Sequence, residues 1–128
     1  MASNVDVVNG IYESFGKGDV GAVLGAFDEK IDWQEPDSLP YENQIGPQAV
    51  GENIFGRVIS DIQNFSVSPR EIVDGGDTVI GIGVYQGTGA KGDFHADFVH
   101  VWKFRDGKAT YFRTYTDTQT WLQALGKA

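Results

Sequence analysis

The sequence predicts one α+β domain over residues 1–128, with its elements in the order α-α-β-α-β-β-β-β-α. Three observations carry that prediction. Apolar residues recur at helical spacing near the N-terminus, as in Val5, Val8, Ile11, Tyr12 and Phe15. The second half alternates Val, Phe, Trp, Tyr and Thr with polar residues, which is a strand period. Asp106-Gly107 divides two of these alternating runs, a strong local signal for a hairpin with a two-residue type I′ turn.

Taken in order, the first amphipathic helix ends at Gly16 and Gly18. Asp19 then caps a short second helix whose apolar stripe is Val20, Val23, Leu24 and Phe27, so the two form a helical hairpin. Lys30 to Glu35 alternates Ile31, Trp33 and Glu35 against Asp32 and Gln34, and Pro36 ends this strand. Asp37 to Gly46 has no periodicity and holds Pro40, Asn43 and Tyr41, a loop expected to overhang a site. Gly46-Pro47 opens a third helix that buries Val50, Ile54, Phe55, Val58 and Ile62. Phe65 to Val73 and Thr78 to Gly87 are strands around the Asp74-Gly75-Gly76-Asp77 turn. Gly81 and Gly83 share one face of the second, where a missing side chain lets a sheet bend or admits a neighbour. After the polar connection from Ala90 to Asp93 and the hairpin, Thr116-Asp117-Thr118-Gln119 has capping-box form ahead of Trp121, Leu122 and Leu125.

A regular hairpin at Asp106-Gly107 pairs Arg105 with Lys108, Phe104 with Ala109, Trp102 with Tyr111, His100 with Arg113, Phe98 with Tyr115 and Ala96 with Asp117. From Phe104 and Ala109 onward these pairs share a face that is large and aromatic but carries an imidazole, a guanidinium and a carboxylate toward one end. That mixture reads as a pocket wall. The structural alternatives are a core histidine at His100, an Arg113 lying along the sheet with its head in water, and Asp117 as a helix cap. The co-location favours the pocket, since a slip of one residue would move the whole set.

Composition narrows the classes. A formal net charge of −8 with no basic patch argues against nucleic acid and anionic membranes as partners, and makes a multiply anionic substrate less suitable than a neutral one. The chain has no Cys, hence no disulfide or thiolate chemistry. With no secretory signal or membrane-length apolar run, the expectation is a cytoplasmic protein. His95 and His100 fall on opposite faces of one strand and cannot share a metal ion. The glycines from Gly81 to Gly89 lack dinucleotide spacing, and neither Ser66 nor Ser68 sits in a nucleophile context.

Acid–base chemistry remains. Glu35, beside Trp33, is expected to be desolvated, which raises a carboxyl toward the working range of a general base. His100 is expected to donate to a developing oxyanion or relay a proton. In this register Arg113 would hold it neutral, whereas Asp117 would favour the imidazolium.

The helix ending in GKGD, the strand AFDEKIDWQEP, the helix start GPQAV, and HVWKFRDGK followed by FRTYTDT, in that order, resemble the nuclear transport factor 2-like superfamily, in its SnoaL-like branch of polyketide cyclases related to ketosteroid isomerases. The resemblance covers nearly the whole chain. It implies a strongly curved mixed sheet forming a cone around a central pocket closed by the N-terminal helices, and a homodimer through the sheet. Carried over by position, Glu35 matches the carboxylate base of the isomerases, His100 their oxyanion-binding acid, and Asp117 the acid/base of SnoaL-like cyclases. One departure stands out. Ile11 replaces the expected oxyanion tyrosine of the first helix, and Tyr12 lies about 100° around the helix from it.

The leading expectation is therefore an isomerase, cyclase or lyase without cofactor, acting on a small, mostly apolar carbonyl compound. Glu35, His100 and Asp117 are its candidate catalytic residues. Trp33, Tyr41, Phe98, Trp102, Arg113 and Tyr115 are its candidate substrate contacts. The alternatives are a non-catalytic ligand-binding or dimerisation module, and water activation like that of epoxide hydrolases, with Asp117 and a second polar group holding the water.

Overall fold

A computed structural model describes residues 3–127. Helix α1 (Asn4–Gly16) starts at Ser3, whose hydroxyl accepts from the Asp6 N–H while the Asp6 carboxylate accepts from the Ser3 N–H. Val8, Ile11 and Tyr12 form its buried face. Asp19 caps α2 (Val20–Gly25), completing the expected helical hairpin. Strand β1 (Phe27–Gln34) begins ahead of Lys30 and buries Phe27, Ile31 and Trp33, with Glu35 buried just past its end. A two-residue strand, β2 (Gln44–Ile45), pairs with β1 inside the segment expected to be a loop; it is too short to carry a period.

Pro47 opens the next helix after Gly46, which holds a left-handed φ of 91°. This helix is not regular throughout. It runs as α3 (Pro47–Val50), a π-helical segment Gly51–Phe55, and α4 (Gly56–Asp61). The adjacent Ile54 and Phe55 of the π-helical segment are both buried. Strands β3 (Gln63–Gly75), β4 (Thr78–Gly89), β5 (Gly92–Arg105) and β6 (Lys108–Thr116) follow, then α5 (Thr118–Ala124). The six strands form one curved, unclosed sheet in the order β2-β1-β6-β5-β4-β3, in which only β1 and β6 run parallel. Its inner face holds the aromatic core with the helices. No described helix is long and apolar enough to cross a membrane.

Asp106 and Gly107 both take positive φ, 52° and 76°, so the turn is type I′ as expected. Arg105 pairs with Lys108 and Phe104 with Ala109. The register then shifts by one residue. Lys103 pairs with Tyr111, Trp102 with Phe112 and His100 with Thr114, leaving Thr110 as a bulge whose hydroxyl donates to the Lys103 carbonyl. Beyond the bulge every β6 side chain changes face. Phe112 and Thr114 point inward, while Arg113 and Tyr115 point outward, the guanidinium 4.9 Å from the Tyr115 ring centre. The expected placement of Arg113 and Tyr115 on the pocket wall is thus corrected. The physical reason is the price of the regular register: it would desolvate a guanidinium inside an aromatic core, whereas the bulge disrupts the ladder at one residue.

Asp117 is corrected as well. It is exposed and caps α5, accepting from the Thr120 N–H and hydroxyl, and these bonds hold its carboxyl below the usual carboxylate range. The helix-cap alternative describes this residue, but the capping box of Thr116 with Gln119 does not form: Asp117 is itself the N-cap, and the Thr116 hydroxyl donates to the Asp97 carbonyl.

Candidate active site

Between α1, the π-helical segment, α5 and the inner face of the sheet lies a cavity of about 70 Å³. Aromatic and aliphatic side chains make most of its wall. Polar atoms enter from Tyr12 on α1, Glu35 after β1, Tyr41 on the following loop, Tyr85 on β4, His100 on β5 and Thr114 on β6.

Glu35 follows the last residue of β1, and alternation carries it onto the face of Ile31 and Trp33. One carboxyl oxygen, Oε2, accepts from the Trp33 indole N–H at 2.6 Å, and the Asn43 side chain accepts from the Glu35 backbone N–H at 2.8 Å. No cation pairs with it among the described residues. Burial dominates its electrostatics and pushes its carboxyl up to about 7, against a smaller lowering by the Trp33 hydrogen bond.

His100 is buried and bonded at both ring nitrogens. Nδ1 lies 2.8 Å from the Tyr12 hydroxyl and Nε2 2.5 Å from the Tyr85 hydroxyl. The Tyr85 oxygen is also 2.9 Å from Thr114 Oγ1, and the Trp102 indole N–H donates to the Tyr12 oxygen at 3.0 Å. Desolvation holds the imidazole well below its usual range, so it is neutral at physiological pH. Burial raises the Tyr12 and Tyr85 phenols, and the nearby Glu35 charge raises Tyr85 further.

Gly81 is opposite His100 on β4, and a Cβ there would collide with the Tyr12 hydroxyl. The missing side chain lets that hydroxyl reach the ring. Gly83, opposite Phe98, is closed against the Ser68 carbonyl in the same way.

Of the residues singled out in the sequence, Glu35, His100, Trp33, Tyr41 and Trp102 meet at the cavity. Phe98 stacks against His100 with ring centres 3.8 Å apart, backing the imidazole. Arg113, Tyr115 and Asp117 are not among the cavity residues. The contest between Arg113 and Asp117 over the charge of His100 therefore does not arise. Tyr12, Tyr85 and Thr114 are site residues that the sequence reading missed. For Tyr12 the readable signal was Gly81 beside His100. For Tyr85 it was the alternation of β4, which puts it on the face of Gly81 and Gly83. For Thr114 there was none, because its face depends on where the bulge falls.

Residues 8–112 match the SnoaL-like domain family. No curated protein matches the chain. Among solved structures it is similar to an NTF2-like protein from Burkholderia thailandensis, at 28% identity and TM-score 0.93, with 98% of each chain covered. It is similar to an NTF2-like protein from Burkholderia pseudomallei, at 28% identity and TM-score 0.89 over 98% of each chain. A third likeness is to TerC co-crystallised with polyporic acid, at 25% identity and TM-score 0.89, covering 98% of this chain and 99% of that one.

The burial of Glu35 has a thermodynamic consequence. A carboxyl raised from 4.5 unfolded to about 7 folded holds its proton longer in the folded state, so its contribution is full below pH 4.5 and is lost as pH rises through about 7. Glu35→Gln is expected to gain stability relative to the native chain over that window, by about 3 kcal/mol in total, and to keep a constant difference above it. Urea unfolding at a series of pH values measures this; a difference that does not vary with pH would contradict it.

Proposed function

Because the chain belongs to the SnoaL-like domain family, we propose that it is a cofactor-independent acid–base enzyme of the cyclase or isomerase type, moving a proton next to the carbonyl of a small, mostly apolar molecule. The observation that carries this reading is the Glu35 carboxyl, buried without a cation in an aromatic cavity and poised near neutral pH. Such a group is a carboxylate often enough to take a proton and basic enough to take it from carbon. An apolar wall suits a hydrophobic substrate, and similarity to a protein co-crystallised with polyporic acid supports a small organic occupant.

In this reading Glu35 removes the proton. The oxygen that becomes negative is met by the Tyr12 hydroxyl, polarised by the Trp102 N–H. Both His100 nitrogens are engaged, so His100 is a positioning residue that acts through Tyr12. Glu35 then returns the proton to another atom of the substrate. Trp33 and Trp102 form part of the slot that excludes water. The water-activation reading loses its support, since it needs Asp117 at the cavity. The binding-module reading draws support from polar groups that already satisfy one another.

The probe is cyclohex-3-enone, whose isomerisation to the conjugated enone is followed by absorbance, with exchange of its α-hydrogens in D2O followed by NMR. Glu35→Gln is expected to reduce both by about 10²-fold or more. Tyr12→Phe is expected to lower kcat by about 10²-fold with little change in KM. Saturable binding of the probe with no enhanced exchange would favour the binding module.

We also propose that a second copy covers the outer face of the sheet. Ile82, Val99 and Tyr115 are exposed there, in a groove that also carries Arg70, Asp97 and Asp117, a self-complementary set of charges around an apolar centre. Analytical ultracentrifugation is expected to find a dimer for the native chain and a monomer for Val99→Asp. A native monomer at high concentration would overturn the assignment.

A further inference from the structure

Hydrogen counting in the Tyr12–His100–Tyr85–Thr114 chain leaves two self-consistent arrangements. A neutral imidazole has one donor and one acceptor nitrogen. In the first arrangement Tyr12 donates to Nδ1, the Nε2 hydrogen goes to Tyr85, Tyr85 donates to Thr114, and the Thr114 hydrogen is left for the cavity. In the second, Thr114 donates to Tyr85, Tyr85 to Nε2, and the Nδ1 hydrogen goes to Tyr12. The Tyr12 oxygen then accepts from both His100 and Trp102, and its own hydrogen is free for the cavity. Only the tautomer of His100 and the direction of the hydroxyls distinguish them.

The Thr114 end of this chain lies beside Glu35. Gln34 pairs with Arg113 across the parallel β1 and β6, so the next positions along the two strands, Glu35 and Thr114, are neighbours, and both line the cavity. A negative charge there favours hydrogens pointing toward it, which is the first arrangement. A neutral Glu35 removes that bias, and the second arrangement lets the Tyr12 oxygen accept two hydrogen bonds.

We propose that Tyr12, His100, Tyr85 and Thr114 form a proton-conducting chain between the substrate and Glu35, which couples the ionisation of Glu35 to the tautomer of His100 and hence to the direction of the Tyr12 hydrogen. The inference rests on the reading of Glu35 as the base and extends it. The step runs from the second arrangement, the less populated one while Glu35 is a carboxylate: Glu35 takes a proton as the substrate's C–H bond breaks, and Tyr12 faces the enolate oxygen with its hydrogen. Tyr12 gives that hydrogen to the oxygen and takes the one on Nδ1. Nε2 takes the Tyr85 hydrogen, Tyr85 takes that of Thr114, and Thr114 takes the Glu35 proton, with room in the cavity for a water to bridge this last step. Each group gives one proton and receives one. The enol is formed, Glu35 is a carboxylate again, and His100 has stayed neutral with its tautomer reversed. The reverse passage takes the enol hydrogen back through Tyr12, restores the tautomer and reprotonates Glu35, which then delivers its proton to another atom of the substrate.

The ionisable groups facing the cavity are Tyr12 on α1, Glu35 after β1, Tyr41 on the loop, Tyr85 on β4 and His100 on β5. Tyr41 donates to Asp61 at 2.9 Å, and the Arg57 guanidinium lies 5.3 Å from its ring centre. The phenols are raised and the imidazole lowered by burial, so Glu35 is the cavity group that changes charge near neutrality.

The test is imidazole 15N NMR of the ligand-free protein across neutral pH. His95→Gln removes the exposed second histidine, which is on the opposite face of β5. The hydrogen is expected on Nε2 above the Glu35 transition and on Nδ1 below it, the change following the 13C shift of the Glu35 carboxyl. Glu35→Gln should keep the Nδ1 tautomer at every pH. Tyr85→Phe should leave Glu35 titrating while the tautomer no longer follows it. A tautomer that stays fixed while Glu35 titrates, or changes equally in Glu35→Gln, or a ring that becomes doubly protonated, would overturn the inference. Turnover of cyclohex-3-enone by Glu35→Gln at the native rate would instead reject the base and leave the coupling standing.

Discussion

The site depends on one unfavourable interaction, the burial of the Glu35 carboxyl among aromatic rings with a single indole N–H as its side-chain donor. A paired carboxylate would stay ionised and inert as a base near neutrality, and an exposed one would be too weak. Here desolvation outweighs the Trp33 hydrogen bond and brings the group to about 7. The surrounding packing keeps bulk solvent and counter-ions away: Trp33 stacks on Phe112 at 3.7 Å between ring centres, and Tyr41 packs edge-on against Trp121. The fold supplies the stability that the buried acid withholds.

His100 answers the same constraint differently. A protonated imidazole in this cavity would need a partner, and Asp117 is elsewhere. The ring therefore stays neutral and meets both its hydrogen-bonding needs with hydroxyls. Neutrality makes it a connector. Its stack with Phe98 and its contacts with two phenols hold it in one orientation, and that orientation aims Tyr12. Gly81 completes the arrangement by leaving space where a side chain would push the Tyr12 hydroxyl away.

Much of this was legible in the sequence because it depends on local rules. The Asp106-Gly107 turn, the helical stripe of α1, the Pro47 start and the alternation that puts Glu35 with Trp33 all follow from backbone preference and period. His100 was placed correctly because it lies on β5, the strand whose alternation is unbroken from Phe94 to Phe104. The misplaced residues, Arg113, Tyr115 and Asp117, all lie beyond Thr110. A bulge there is a tertiary choice, made where the ladder of β6 with β5 must agree with its ladder to β1 and with the burial of Phe112 rather than Arg113. Tyr12 was passed over because helical angle alone separates it from Ile11, whereas both are buried. The face of a helix that meets a cavity is wide enough to include two adjacent positions.

Glu35 as a neutral-range acid is the claim on which the chemistry stands, and infrared spectroscopy of its carboxyl reads it directly. The native-minus-Glu35→Gln difference spectrum is predicted to contain the C=O stretch of a protonated carboxyl in mildly acidic solution, fading with a midpoint near 7. Loss of that band near 4.5, the ordinary range of a glutamate, would contradict the account.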